Sequence, residues 1–211
     1  MPKTDTNTRE RLMDATERII REQGIMAVTT KDIASAAGLA EGTLYRHFQD
    51  KVDLLLAVMA ERISGNFLQL IHELPARAGA GTVEASIEEF AAAALAFFAH
   101  TMPLNVALAA DPHLTARHNQ RLRELGTGPE VALRSVMAYI EAEQRLGRIR
   151  PDASPAAAAT LLLGVCFNYA QTRYTGGAAA GVLSEDRFAL EIAQTLLHGL
   201  APAPAERPAP H

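Results

Sequence analysis

Thr30-Lys31-Asp32-Ile33-Ala34-Ser35-Ala36-Ala37-Gly38-Leu39-Ala40-Glu41-Gly42-Thr43-Leu44-Tyr45-Arg46-His47-Phe48 is the stretch that decides the fold. It reads as two short helices around a glycine turn. Thr29 and Thr30, followed by Asp32, form an N-terminal cap signal. Ala34 and Ala37 supply small side chains where two helices can cross closely, and Gly38, four residues after Ala34, supplies the turn. In the second helix Leu44 and Phe48 lie four residues apart and form a buried face. Thr43, Tyr45, Arg46 and His47 are then left for the other face, where a helix-turn-helix offers polar groups to a DNA groove.

Working outward, Thr8 to Gln23 reads as an amphipathic helix with Leu12, Ala15, Thr16, Ile19 and Ile20 on one side, stopped by Gly24. On the other side of the motif, Asp50 caps a helix expected to run from Lys51 to about Ile71. Further helices are expected over 83–99, 104–110, 112–125, 129–146, 155–175 and 185–200, with Met102-Pro103 kinking or separating two of them. No strand pattern and no repeat is found. The arm Met1–Thr8 is expected to hang free, and the Ala/Pro tail 201–211 to be disordered. The fold class is all-α: a three-helix DNA-binding domain over 1–52, then a larger helical domain over 53–200.

Composition narrows the function classes. The 211 residues are 48% apolar, enough for a sizeable core, and carry a net charge of −4. In residues 1–51 eight cations balance eight anions, so the whole deficit lies further on. The motif segment is neutral, and its DNA affinity must come from where its cations sit. The single cysteine, Cys166, allows no internal disulfide and reads as a packed small hydrophobe. No signal peptide is read at the polar N-terminus, and the apolar runs 90–99 and 156–165 are short for a bilayer, so a cytoplasmic protein with no membrane partner is expected. His100, His113 and His118 form no metal-ligand pattern. No nucleophile elbow, phosphate loop or reasoned carboxylate pair is present, so neither an enzyme nor a cofactor is expected.

The stretch 30–48, continued by Lys51 and Leu54-Leu55, resembles the DNA-binding domain of the TetR family of regulators. The resemblance covers roughly residues 9–60. It implies DNA contacts at Thr30 and Lys31, at Glu41, Gly42 and Thr43 opening the recognition helix, at Tyr45, Arg46 and His47, and at Lys51. Glu41 departs from the expected charge. It either caps its helix or accepts a hydrogen bond from cytosine N4. Arg9 and Arg46 read equally as DNA contacts or solvated charges.

The resemblance further implies that residues 53–200 bind a small-molecule effector and dimerise through helices 155–175 and 185–200. The apolar character of both helices supports burial on two sides. Candidate effector contacts are Phe97, Phe98, Met102, Asn105, Met137, Phe167, Asn168 and Tyr169, and the scarcity of charge there points to an apolar or weakly polar effector. The expected protein is a repressor released from a double-stranded palindromic operator, with an activator of the same build as the alternative.

Overall fold

The computed structural model describes residues 3–24, 28–59, 61, 65–110, 112–124, 126, 128–176 and 184–199. They form ten α-helices and no strand. These are α1 (Lys3–Gln23), α2 (Thr30–Ala37), α3 (Glu41–His47), α4 (Lys51–Val58), α5 (Gly65–Glu73), α6 (Val83–Ala110), α7 (Pro112–Glu124), α8 (Pro129–Arg145), α9 (Pro155–Tyr174) and α10 (Glu185–His198). The tail 201–211 and Ile25–Ala27 lie outside the described residues.

Two cores follow from two sets of apolar residues. In the first, Leu12, Met13, Ala15 and Ile19 of α1 meet Ile33 and Ala37 of α2, Leu44 and Phe48 around α3, and Leu54–Met59. In the second, Phe67, Leu70, Ile71 and Leu74 meet Phe90–Leu95 of α6, Val136, Tyr139 and Ile140 of α8, Leu162 and Cys166 of α9, and Ile192 and Ala193 of α10. Leu104 and Leu108 at the far end of α6 belong to the first core. The long helix therefore runs from one core into the other.

Three expected boundaries change. Of the helix expected over Lys51–Ile71, the described residues give α4, a π-helical conformation at Met59 and Glu61, and α5, with residues 60 and 62–64 outside them. The Leu54–Met59 stretch is buried among the motif helices, whereas Phe67 and Ile71 face the second core, so the chain changes cores near Gly65. Pro103 does not separate two helices but sits inside α6. Proline removes one ladder bond. The carbonyl that loses its donor belongs to Ala99, on the exposed side, while buried Met102 and Leu104 hold the helix on both sides of the proline. At 28 residues α6 is long and apolar enough, by length and composition alone, to cross a membrane. Here it is the central packing partner of α9 and α10. Finally, α1 starts at Lys3 rather than Thr8, because apolar periodicity marks where a helix is buried and not where it begins.

One buried charge braces the larger core. Glu143 is fully buried, accepts from the Gly79 N–H at 3.1 Å and lies 3.4 Å from the Arg148 guanidinium, whose Nη2 donates to the Gly81 carbonyl. The link between α5 and α6 is thereby fastened to the end of α8. Burial beside this carboxylate pushes the Tyr139 phenol above its ordinary value.

Candidate nucleic-acid interface and effector region

The turn of the motif is built by satisfying every carbonyl at the end of α2. A helix leaves its last four carbonyls without intrahelical donors. Gly38, at φ 65°, folds the chain back so that its own N–H reaches Ser35 and the Leu39 N–H reaches Ala34. Arg11 Nη2 donates to the Ala37 carbonyl at 2.7 Å, and Arg18 Nη2 to that of Ala36 at 3.3 Å. Both arginines come from α1 and also favour the negative end of the α2 dipole. Sequence reasoning did not single them out. Their spacing of seven residues, one face of the helix, is the signal that could have shown them together.

At the opposite end of α2 the helix starts converge. Thr29 caps α2 by accepting from the Asp32 N–H. The N–H groups of Thr30 and Lys31, in the first turn, have no intrahelical acceptor, which makes this end a natural place for an anion. Lys51, opening α4, donates Nζ to the Val28 carbonyl at 2.9 Å. The ammonium has three donors, so two remain for a phosphate beside the Thr30 end of α2. The expectation that Lys51 grips DNA thus acquires a second task, tying α4 to the entry of α2.

On α3, Leu44 is fully buried and Phe48 nearly so, as the spacing predicts. Glu41, Gly42, Tyr45 and Arg46 are exposed, and Thr43 and His47 are half-buried. Tyr45 is 54% exposed and is therefore no part of the core. Gly42 has open space where a side chain would stand, which leaves the backbone free for close approach.

Two residues read in two ways have partners within the fold. Arg9 is not simply a solvated charge but is paired within the fold. It chelates Glu61 at 2.6 and 3.0 Å and lies over the Phe48 ring. Glu41 does not cap α3. Its Oε1 accepts from the Thr30 hydroxyl at 2.5 Å, across the turn. The Thr30 hydroxyl proton is committed to that bond, so an anion contact at Thr30 falls to its backbone N–H.

A further tie was missed by sequence reasoning. Arg117 of α7 clasps Asp50, with Nη1–Oδ2 at 2.6 Å and Nη2–Oδ1 at 3.3 Å, while the same carboxylate caps α4 through the Asp53 N–H. The Arg117 hydrogen bond holds the Asp50 carboxyl below its usual range. Partners 67 residues apart carry no local signal.

The effector candidates divide. Phe97, Phe98 and Phe167 come together with Phe67 and Phe90 in one aromatic cluster, with centroids 4.8–5.4 Å apart between neighbours. Met137 is half-buried at the edge of the same core. Tyr169 instead stacks on Phe188 of α10 at 4.5 Å. Met102 is buried further along α6, near Asn105, whose amide donates to Thr101. Asn168 is exposed on the outer side of α9 and faces no interior. A groove of about 400 Å³ lies between α5 and α6, floored by Ala92, Ala93 and Ala96, and none of the eight candidates lines it.

Comparison with known proteins bears on both regions. Residues 12–58 match the family model for bacterial regulatory proteins of the tetR family. The HTH-type transcriptional repressor KstR2 of Rhodococcus jostii is 35% identical over 66 residues, 30% of this chain and 32% of that protein. The chain spans about a third of the length of the curated relatives it matches. Among solved structures, the regulator FadR from Bacillus subtilis in complex with stearoyl-CoA superposes with a TM-score of 0.65 at 17% identity, covering 91% of this chain and 99% of that one. A transcriptional regulator from Saccharomonospora viridis in complex with choline gives 0.68 at 18% identity, covering 92% and 97%. These two likenesses are of fold.

Proposed function

We propose, from the match of residues 12–58 to the tetR family of bacterial regulatory proteins, that the chain is an effector-released repressor of that family, bound as a homodimer to a palindromic operator. The observation that carries the DNA reading is the convergence of α2, α3 and α4 at their starts. Free N–H groups of Thr30 and Lys31 and the spare donors of Lys51 meet a phosphate there, while Thr43, Tyr45, Arg46 and His47 extend along α3 toward bases and sugar-phosphate. The reading domain proposed over 1–52 shares its core with Leu54–Met59 at the start of the larger effector domain, and Leu104 and Leu108 are a further joint between them.

The second copy is taken up by α9. Leu161 is 64% exposed, and with Ala157, Gly164, Val165 and Asn168 it forms an outward face spaced at three and four residues. An apolar helical face of this kind fits a two-fold interface. The exposed side of α10 is polar, with Asp186, Arg187, Gln194, Thr195 and His198, so α10 contributes a rim more than a core. For the effector we choose the aromatic cluster around Phe97, Phe98 and Phe167. Phe67 and Phe90 are buried, Phe97 and Phe98 half-buried and Phe167 is 37% exposed, so an apolar ligand meets the cluster at its Phe167 edge and goes deeper by parting α6 from its neighbours. The regulators similar in fold bind ligands as different as stearoyl-CoA and choline, and this chain's aromatic rings favour an apolar one.

The test is binding of purified protein in the cytoplasmic salt range to DNA upstream of its own gene and to random duplex. A preference of at least a hundredfold for one palindromic site, with two chains bound and higher reporter expression when the gene is deleted, is expected. Equal binding to random duplex would remove the reading.

A further inference from the structure

Resting on the DNA-binding reading above, we propose that Glu41, held in place by Thr30, reads the amino group of one cytosine in each operator half-site. Glu41 is the first residue of α3 and is exposed on the side of the helix that carries Tyr45 one turn later. A solvated glutamate at this position would be a liability, since a mobile negative charge repels phosphates and pays rotamer entropy on binding. This one is tethered across the turn. The Thr30 hydroxyl donates to Oε1, and that donor stands on a different helix, at the first turn of α2. The bond crosses the turn of the motif and fixes the orientation of the carboxylate relative to both helices.

Fixing one oxygen leaves the other directed away from Thr30. A carboxylate can only accept hydrogen bonds. In the major groove the base-edge donors are the amino groups of cytosine and adenine. Adenine carries the N7 lone pair beside its amino group, which repels an anion. Cytosine carries a C5–H there, which does not. A preoriented carboxylate therefore selects cytosine over adenine, and it rejects guanine and thymine, whose edges at this position offer acceptors. The neighbouring charges fit this assignment. Arg46 and Lys31 are exposed and the anchoring cation Lys51 opens the adjacent helix, so the carboxylate is not left alone against the DNA backbone.

The experiment selects binding sites from a random duplex pool with the full-length protein, its E41A, E41Q and T30V variants, and then measures affinity for the selected site with each base at every position. The wild-type chain is expected to select a palindrome with one cytosine per half-site whose replacement weakens binding about tenfold or more. E41A should bind all four bases at that position within about twofold, with the rest of the site unchanged. E41Q, nearly isosteric, offers a donor beside an acceptor and should shift the preference to adenine. T30V should keep cytosine but with a smaller margin, because the carboxylate loses its anchor. Identical base preferences in wild type and E41A would overturn the proposal. So would loss of all operator binding in both folded Glu41 variants, which would make the residue a docking element and not a reader. A wild-type chain that selects no site at all defeats instead the underlying DNA-binding reading.

Discussion

At the scale of single residues, Tyr45 and Lys51 divide the tasks of binding and building. Tyr45 is more than half exposed and has no core to support. Y45A is expected to leave unfolding free energy within about 0.5 kcal/mol of wild type while operator affinity falls. Lys51 has both roles. K51M loses the bond to the Val28 carbonyl, at a cost of about 1 kcal/mol in urea denaturation, and lowers the slope of log affinity against log salt by about one per subunit. A K51M variant with an unchanged salt slope would place its ammonium away from phosphate. Much of this was legible in the sequence. The i, i+4 pair Leu44 and Phe48 fixes which side of α3 is buried, and everything else on that helix follows. What sequence could not show was partnership across the chain. Nothing local to Arg9, Glu41 or Arg117 points to Glu61, Thr30 or Asp50, because such pairs are decided by how helices are stacked and not by spacing.

At the scale of elements, the two glycines of the motif make opposite predictions. Gly38 needs its left-handed backbone, and a Cβ there would stand 3.3 Å from the Arg11 guanidinium that closes α2. G38A should cost on the order of 1–2 kcal/mol in urea denaturation. Gly42 lies in helical conformation with open space around it. G42A should stabilise the free protein by up to about 1 kcal/mol, while a methyl group intrudes where the backbone approaches DNA. A stable G42A with weakened operator binding separates the folding role of one glycine from the contact role of the other. The elements also show the limits of periodicity. Apolar spacing runs on from α4 into α5 although the core being faced changes between Met59 and Phe67. Of the two readings of Met102-Pro103, a kink or a separation, the separation fails because a proline's missing bond is tolerated where its carbonyl partner is exposed and its neighbours are buried.

At the scale of the whole molecule, the larger domain reaches the reading domain through α6, by Leu104 and Leu108, and through α7, by Arg117 on Asp50. The second contact has a pH signature. Because Asp50 is held below the usual carboxylate range in the fold, its ion pair stabilises the protein fully above the ordinary aspartate value. That contribution is lost as pH falls through the depressed one. R117M keeps the Asp50 cap but removes the clasp. Both partners are more than a third exposed, so the difference in unfolding free energy from wild type should not exceed about 1 kcal/mol at neutral pH, and it should shrink toward zero in acid. A difference independent of pH would mean that Arg117 acts by packing alone.

The one cysteine sits where the larger domain would have to come apart. Cys166 on α9 is fully buried, its thiol directed at the Ala91 carbonyl of α6, and burial pushes its pKa up to about 12. No reagent in solution meets that sulfur while α6 and α9 stay in contact, and hardly any thiolate exists to react. Its rate of alkylation is consequently a gauge of how often those two helices separate. Without any engineered label, the chain carries a stopwatch for its own breathing, set at the seam beside the aromatic cluster.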